Sequence, residues 1–461
     1  MIARRPYVPA DEVELISKAK ANPTKAFFVR MLTRDISLDD CILDLVDNSI
    51  DGAWKASGKR PSELRVNKDL SRFKIEIEFS EKQFRISDNC GGITLDDAAE
   101  YAFTFGRSSK QPNDEYSVGV YGIGMKRAAF KIGNQINVRS TYSESKKLVG
   151  FQVPIDVTNW MKNESDEWDF DLEEYPAGSS AGVEVAISEL SSETRMRFVD
   201  PAYPVSLRRV LARDYVVPLM RGLIISVNGV EIEASPLALL EDKQFAPLRS
   251  SYSDGDVRVE LIAGMRYRPP DTNDPDESKK RPDEISGWYI ICNGRVVLDA
   301  DRTDVTGWGT MGTPIWHPQY SGFLGIAFFS SKESASLPMT TTKRSVDISS
   351  GVYRRALAKM QVPTRAWIDY TNGRKVDATV RKLEAAARPR EVSTLPLNAK
   401  VKLPKTRSTS GERLANVGYA VPIGKLKALA AALGQRYMSQ KDVGLKSFEY
   451  AYKELVAEGE D

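Results

Sequence analysis

Asp44, Asn48 and Asp51, in the run Asp44-Leu-Val-Asp-Asn48-Ser-Ile-Asp51, place two carboxylates and a carboxamide at spacings of four and three residues. On a helix turning about 100° per residue these three side chains fall within roughly 60° of one another. Such a stripe offers hard oxygen ligands, which suit Mg²⁺ better than zinc or copper. A solvated polar face has the same spacing, so the stripe alone leaves both readings open. Ser37 reads as the N-cap of that helix, with Asp40 at the capping-box position. Ile42, Leu45, Val46, Ile50 and Ala53 supply the apolar surface that seats it.

Two further segments must position a ligand against that stripe. Residues Phe73 to Phe79 alternate apolar and charged, and Gln83 to Ser87 read as a second strand that runs into Asp88-Asn-Cys90-Gly91-Gly92. An Asp at a strand end beside paired glycines can turn its carboxylate into a pocket, and Gly92 lets backbone approach a ligand closely. Then comes Gly119-Val-Tyr-Gly122-Ile123-Gly124-Met125-Lys126, opening a helix expected to reach Ile132. Glycines ahead of a helix leave amides free for phosphate, and the helix dipole has the matching sign. Any one glycine cluster marks a turn more often than a ligand site; the three elements in this order within about 80 residues are specific.

These segments resemble the N-box and the two glycine boxes of the GHKL ATPases, a group that includes the MutL mismatch-repair proteins, the MORC proteins, the gyrase ATPase subunit and the ninety-kilodalton heat-shock chaperones. The resemblance is nearest to MutL and MORC. It is specific over roughly residues 25–190 and looser over roughly 205–350. It implies an α+β protein: a Bergerat-type α/β sandwich with a mixed sheet, helices on one face and a lid over ATP. By resemblance, Asp44 is the general base, Asn48 binds Mg²⁺, and Asp88 hydrogen-bonds the adenine amino group. The lid glycines are Gly119, Gly122 and Gly124, followed by Lys126, and Ser108-Ser109-Lys110 is similar to the start of the MutL lid. The chain departs from the pattern in three places. Asp44 stands where Glu is usual, shortening the reach by about 1.5 Å. Cys90 replaces the first glycine of Asp-x-Gly-x-Gly. Val183, after Gly182, lacks the hydroxyl of the usual Thr, so a water or a neighbour must serve.

The second part of the chain reads as β-rich with crossing helices. Strands are expected at Leu223–Val227, Val257–Ala263, Gly287–Cys292 and Phe323–Phe329, with Asn228-Gly229 and Asn293-Gly294 as hairpin turns. Trp288-Tyr-Ile-Ile-Cys-Asn-Gly-Arg295 resembles the transducer domain of MutL and gyrase. That resemblance implies a Lys reaching the γ-phosphate, for which Lys343 in Leu337-Pro-Met-Thr-Thr-Thr-Lys343-Arg344 is the match; Arg344 could serve instead, and both could equally be surface cations. The expected domains are an ATP-binding domain at 1–200, a transducer-like α/β domain at 201–387, a basic linker at 388–411 and a helical C-terminal region at 412–461. Residues 268–284 lack apolar periodicity and read as an exposed insertion without metal-ligand spacing.

Composition narrows the function classes. The single histidine, His317, sits in Trp316-His317-Pro318, which leaves no His-rich zinc site and no phospho-acceptor His ahead of the ATP domain. A surface or packing role is the default for it, so base work falls to a carboxylate. Cys41, Cys90 and Cys292 show no metal spacing, and Met-Ile-Ala-Arg-Arg-Pro lacks the apolar stretch of a signal peptide; a reducing, cytoplasmic setting is expected, with no transmembrane helix. The chain is +2 overall, yet residues 353–427 carry 17 Lys and Arg against 5 Asp and Glu, a net of +12 that leaves −10 elsewhere. Arg354, Arg355, Arg374, Lys375, Arg381, Lys382, Lys400, Lys402, Lys405 and Arg407 belong to that stretch, which suits a polyanion such as DNA bound without sequence preference, or a solvated helix face plus linker. Two C-terminal helices, Pro422–Leu433 and Val443–Ala457, carry the stripes Leu426-Leu429-Leu433 and Phe448-Tyr452-Leu455 and either dock on the body or pair with a second chain. Three functions follow from the resemblance and the charge: an ATP-driven clamp that dimerises on DNA in repair, chromosome handling or defence; a chaperone-like ATPase with protein clients; or a nucleotide-gated interaction protein with little turnover.

Overall fold

Ser37 starts the helix that carries the acidic stripe. In the computed structural model, which describes residues 23–62, 64, 68–106, 115–119, 122–163, 167–235, 237–270, 285–374, 378–404, 418–435 and 437–456, helices α1 (Lys25–Arg34) and α2 (Leu38–Ser57) are capped by the Thr24 and Ser37 hydroxyls. The Ser37 hydroxyl accepts from the Asp40 amide at 3.1 Å and donates to the Asp40 carboxylate at 2.7 Å. The capping pair therefore closes side chain to side chain. Gly58 ends α2 in the left-handed region at φ 66°, where a side chain would be strained. Cys41, Ile42, Leu43, Leu45, Val46, Ile50, Ala53 and Trp54 are all buried, and so are the carboxylates Asp44 and Asp47. Within the stripe itself Asp44 is buried, Asp51 half-buried and Asn48 exposed, so one of its carboxylates is taken out of solvent.

The inner surface of α2 lies on a mixed eight-stranded sheet. Its strands are β1 (Lys74–Phe79), β2 (Gln83–Asp88), β3 (Gly133–Glu144), β4 (Lys147–Asp156), β5 (Glu173–Glu174), β6 (Gly182–Leu190), β7 (Ile224–Val227) and β8 (Val230–Glu231), in the order β5-β4-β3-β6-β2-β1-β7-β8. Neighbours are antiparallel except β1 and β7, which run parallel. Ile75, Ile77, Ile86, Val138, Val185 and Ile187 face a core shared with Ile42, Val46 and Ala53 of α2 and with Ala128, Ala129 and Ile132 of α3 (Gly124–Ile132). On the other face, Arg85 bridges Glu78 and Glu184, and Arg139 meets Glu184. Apolar and charged positions thus alternate because one face is covered and the other is wet. β7 lies beyond the domain boundary expected at residue 200, yet it completes this sheet.

A second sheet has the order β10-β11-β14-β12-β13, from β10 (Leu248–Asp254), β11 (Val257–Met265), β12 (Gly287–Cys292), β13 (Arg295–Asp301) and β14 (Phe323–Ser331). Every residue of β12 and β14 is buried. The helix Gly351–Arg374 covers one face through Tyr353, Ala356, Met360 and Trp367, and Leu239, Val392 and Leu395 join Ile262, Ile291 and Phe328 on the other. Coverage on both faces explains the unbroken apolar runs. Asn228 and Gly229 (φ 48° and 76°) turn β7 into β8, and Asn293 and Gly294 (φ 45° and 84°) turn β12 into β13, as the Asn-Gly pairs predict.

The segment expected to be a linker differs from that expectation over residues 388–404. Arg388–Glu391 forms β15 against β9 (Ala238–Glu241), and Asn398 and Lys402 bridge Arg249 and Ala246. Val392 and Leu395 are buried, and the Arg249 guanidinium donates to the carbonyls of 392, 393 and 395. Two apolar side chains and a buried guanidinium pin what charge and proline content suggested was loose. Residues 1–407 cluster as one compact unit and 408–461 as a second. Within the second, Ile423–Ala432 and Gln440–Leu455 are the two expected helices, with Ala430 and Val443 buried and Leu429, Phe448, Tyr452 and Leu455 exposed.

Candidate functional site

Asp44 and Asp47 project from α2 into a set of cations drawn from distant parts of the chain. Lys343 Nζ lies 3.2 Å from Asp44 Oδ1 and 2.7 Å from Asp47 Oδ2. Arg127, on the first turn of α3, pairs with Asp44 Oδ2. Arg295, only 2% exposed at the start of β13, places Nε 3.2 Å from Asp47 Oδ1 and Nη1 3.0 Å from Asp214 Oδ2. The Tyr215 hydroxyl donates to Asp47 at 2.8 Å. Arg344 joins Asp40 to Asp214, so Lys343 and Arg344, left as alternatives by the sequence, both reach the acidic helix and neither is a free surface cation. Burial alone would push the Asp47 carboxyl up, but Lys343 and Arg295 outweigh it and hold the group below its usual range. Burial works against the charge on Lys343 too, yet Asp47 and Asp44 raise its pKa. Both shifts keep the pairs ionised, which buried charges require.

Asp51 lies further along the same helix. Its carboxylate accepts from the Val118 and Gly119 amides at 3.0 and 3.2 Å. Burial, then the neighbouring Asp47, pushes its pKa up to about 7 against the pull of Lys343 and those amides. The segment 115–119 is fastened on its other side as well. The Tyr116 amide donates to the Lys332 carbonyl at 3.0 Å, and Asn293 Nδ2 and the Ser334 hydroxyl both donate to the Ser117 carbonyl.

Asp88 sits at the end of β2 with its carboxylate accepting from the Ser49 hydroxyl at 2.6 Å, the Cys90 amide at 2.8 Å and the Val183 amide at 3.2 Å. Burial raises its pKa against those three donors. Ser49 thus gives Asp88 a hydroxyl, and Val183 gives it a backbone amide. Gly92 has φ 75°, and a Cβ there would collide with the Thr141 carbonyl of β3; strand packing accounts for that glycine. In α3, a Cβ on Gly124 would stand 3.4 Å from Asp44 Cγ, an ordinary contact, so the first turn of the helix lies directly beside the carboxylate. Gly122 is left-handed at φ 64°, Ile123 precedes the helix without a side-chain cap, and Met125 packs on the core. Lys126, which follows these glycines, is buried. Its Nζ donates to the Ala102 and Thr104 carbonyls at 2.9 and 2.6 Å, and burial lowers its pKa to about 8. Asn48 is the one exposed side chain between Cys41 and Ile50. Ser108, Ser109 and Lys110 lie outside the described residues, as do Lys405, Arg407 and most of the 268–284 insertion.

Sequence reasoning passed over Asp47, Ser49, Arg127, Tyr215 and Arg295 as site residues. Asp47 carried a signal, being three residues after Asp44 and four before Asp51 on the same stripe. His317 is exposed and caps a short 3-10 turn by accepting from the Gln319 amide at 3.2 Å. Among the described residues no group of three His, Cys, Asp or Glu could hold a metal ion. Mg²⁺ can still fit, because it takes one or two protein oxygens with waters and phosphates completing its shell, and exposed Asn48 offers one. Within the basic stretch, Arg355 pairs with Asp254, Arg374 with buried Glu384, and Arg390 with Glu241, so these three charges are met inside the protein.

Residues 36–174 match the family model of the histidine kinase-, DNA gyrase B- and HSP90-like ATPases. Over that span the chain carries a GHKL-type ATPase domain. Domains of this type bind and hydrolyse ATP, usually with Mg²⁺, and the α+β architecture of sheets and covering helices is consistent with one. The match takes in α2, Asp88 and α3 and ends well before Arg295 and Lys343. No curated protein matches the chain. No described helix is long and apolar enough to cross a membrane.

Proposed function

We propose that this protein binds ATP with Mg²⁺ and hydrolyses it slowly, using the nucleotide to gate association of two copies into a clamp on DNA. The observation that carries the reading is Lys343, which comes from outside the matched ATPase span and lies on Asp44 and Asp47 within it. A lysine is a compact charge suited to a terminal phosphate. In this reading Asp88, oriented by Ser49, accepts from the adenine amino group. Asn48 holds Mg²⁺, which when bound supplies positive charge against the phosphate oxygens. Asp44 orients and polarises the attacking water, and Lys343 transfers its contact from the α2 carboxylates to the γ-phosphate, so the second α/β region reports whether the third phosphate is present. The basic stretch at 353–427 favours DNA over protein clients as the surface that the clamp meets.

A second reading, a nucleotide-gated interaction protein with little turnover, is favoured by one feature: both Asp44 oxygens are held by cations. One experiment separates the two. ATP turnover is measured with and without duplex DNA, and particle mass in a nonhydrolysable ATP analogue and in ADP. The clamp predicts turnover stimulated by DNA and a doubled mass with the analogue alone. Tight analogue binding with no release of phosphate leaves the second reading, and one mass in both nucleotides rejects gated dimerisation.

A further inference from the structure

Arg127 has no role in the scheme above, yet it makes the closest contact to Asp44. Resting on the ATP-site reading, we infer that Arg127 is a second ligand for the terminal phosphate, for which that phosphate competes with Asp44. Each Asp44 oxygen has its own cation, Lys343 on Oδ1 and Arg127 on Oδ2. Both oxygens of that carboxylate thus carry a cation that competes with water for their lone pairs, and the two cations meet at one carboxylate. Arg127 uses one nitrogen on Asp44, and its Nε is buried with no hydrogen-bond partner among the described residues. A guanidinium offers five donors in a planar fork that fits phosphate oxygens. Its neighbour Lys126 is committed to the Ala102 and Thr104 carbonyls, so Arg127 is the cation that α3 presents to Asp44. Gly124 brings the first turn of α3, and with it the Arg127 backbone, beside that carboxylate. A terminal phosphate arriving there draws both cations off Asp44 and frees it for water. ADP, one phosphate shorter, leaves the latch shut.

The test is equilibrium binding of a nonhydrolysable ATP analogue and of ADP, each with Mg²⁺, to the full chain and to Arg127→Gln, Asp44→Asn and the double variant. Arg127→Gln is expected to weaken analogue binding by ~10-fold or more while changing ADP binding little, the scale of one charge-assisted contact. Asp44→Asn removes the competing carboxylate and is expected to tighten analogue binding only while Arg127 is present, a coupling that the double variant exposes. If Arg127→Gln does not fold, Arg127→Lys is expected to keep a reduced preference for the analogue over ADP. A parent-like preference in Arg127→Gln or, failing that variant, in Arg127→Lys, an equal loss of both nucleotides, or the same Asp44→Asn effect in both backgrounds overturns the inference. A parent chain that binds neither nucleotide rejects the ATP-site reading itself.

Discussion

The two sheets solve different problems with the same strand chemistry. The eight-stranded sheet keeps one face wet and charged and gives the other to α2 and α3, so carboxylates on α2 can stand at the margin of its core. The five-stranded sheet is covered on both faces, and its inner strands β12 and β14 carry no exposed position. The first therefore holds groups that can meet a ligand, and the second holds rigid positions from which Arg295 and the Lys343 loop are aimed. Chemistry concentrates where the packing is one-sided, and leverage comes from where it is complete.

The largest test of that division is Arg295→Met. It takes one buried counter-charge from Asp47, which keeps Lys343, and one from Asp214, which keeps Arg344, and breaking these buried pairs is expected to cost about 3 kcal/mol in urea unfolding. A loss under about 1 kcal/mol would mean the second sheet does not depend on the carboxylates of the first. Next is Asp88→Asn, which turns half the carboxylate into a donor facing the adenine amino group and is expected to weaken ATP by ~100-fold or more at unchanged thermal stability; unaltered affinity rejects Asp88 as the adenine reader. A smaller effect concerns Asp51, raised from 3.8 to about 7. Between those values the folded protein holds a proton that the unfolded chain releases, so this group lowers stability as pH rises through that window. The urea midpoint of Asp51→Asn should lack that part of the decline, and parallel profiles would show that Asp51 is ionised throughout. The smallest effect is expected from charge reversal at Lys400, Lys402, Lys405 and Arg407. It should weaken DNA binding and flatten its salt dependence by about 0.9 for each phosphate that is no longer neutralised; no change in either removes nucleic acid from the proposal.

Local signals were legible where a period or a turn residue is written into consecutive positions. The cap of α2, the alternation in β1, the helix after Gly124 and both Asn-Gly hairpins are of this kind. What could not be read is what folding brings from far away. Arg127 follows a lysine that looks better suited, but Lys126 faces Ala102 and Thr104, because neighbouring helical positions point about 100° apart. Arg295 reads as a hairpin residue, and only the approach of β13 to α2 makes it a counter-charge for Asp47. Lys343 was legible through resemblance, since nothing in Thr342-Lys343-Arg344 marks its neighbours. The strap at 388–404 reads as a linker because proline and basic content mask Val392 and Leu395, whose partners lie some 150 positions upstream.

Arg295 also decides how this molecule can be dissected. A fragment ending at the boundary expected near residue 200 would part with β7, Tyr215, Arg295 and Lys343 in one cut, leaving Asp47 in an apolar helix with every one of its counter-charges gone. Such a piece holds the whole span that matches the ATPase family and keeps Arg127 for Asp44, yet it has neither of the charges that Lys343 and Arg295 bring to Asp47.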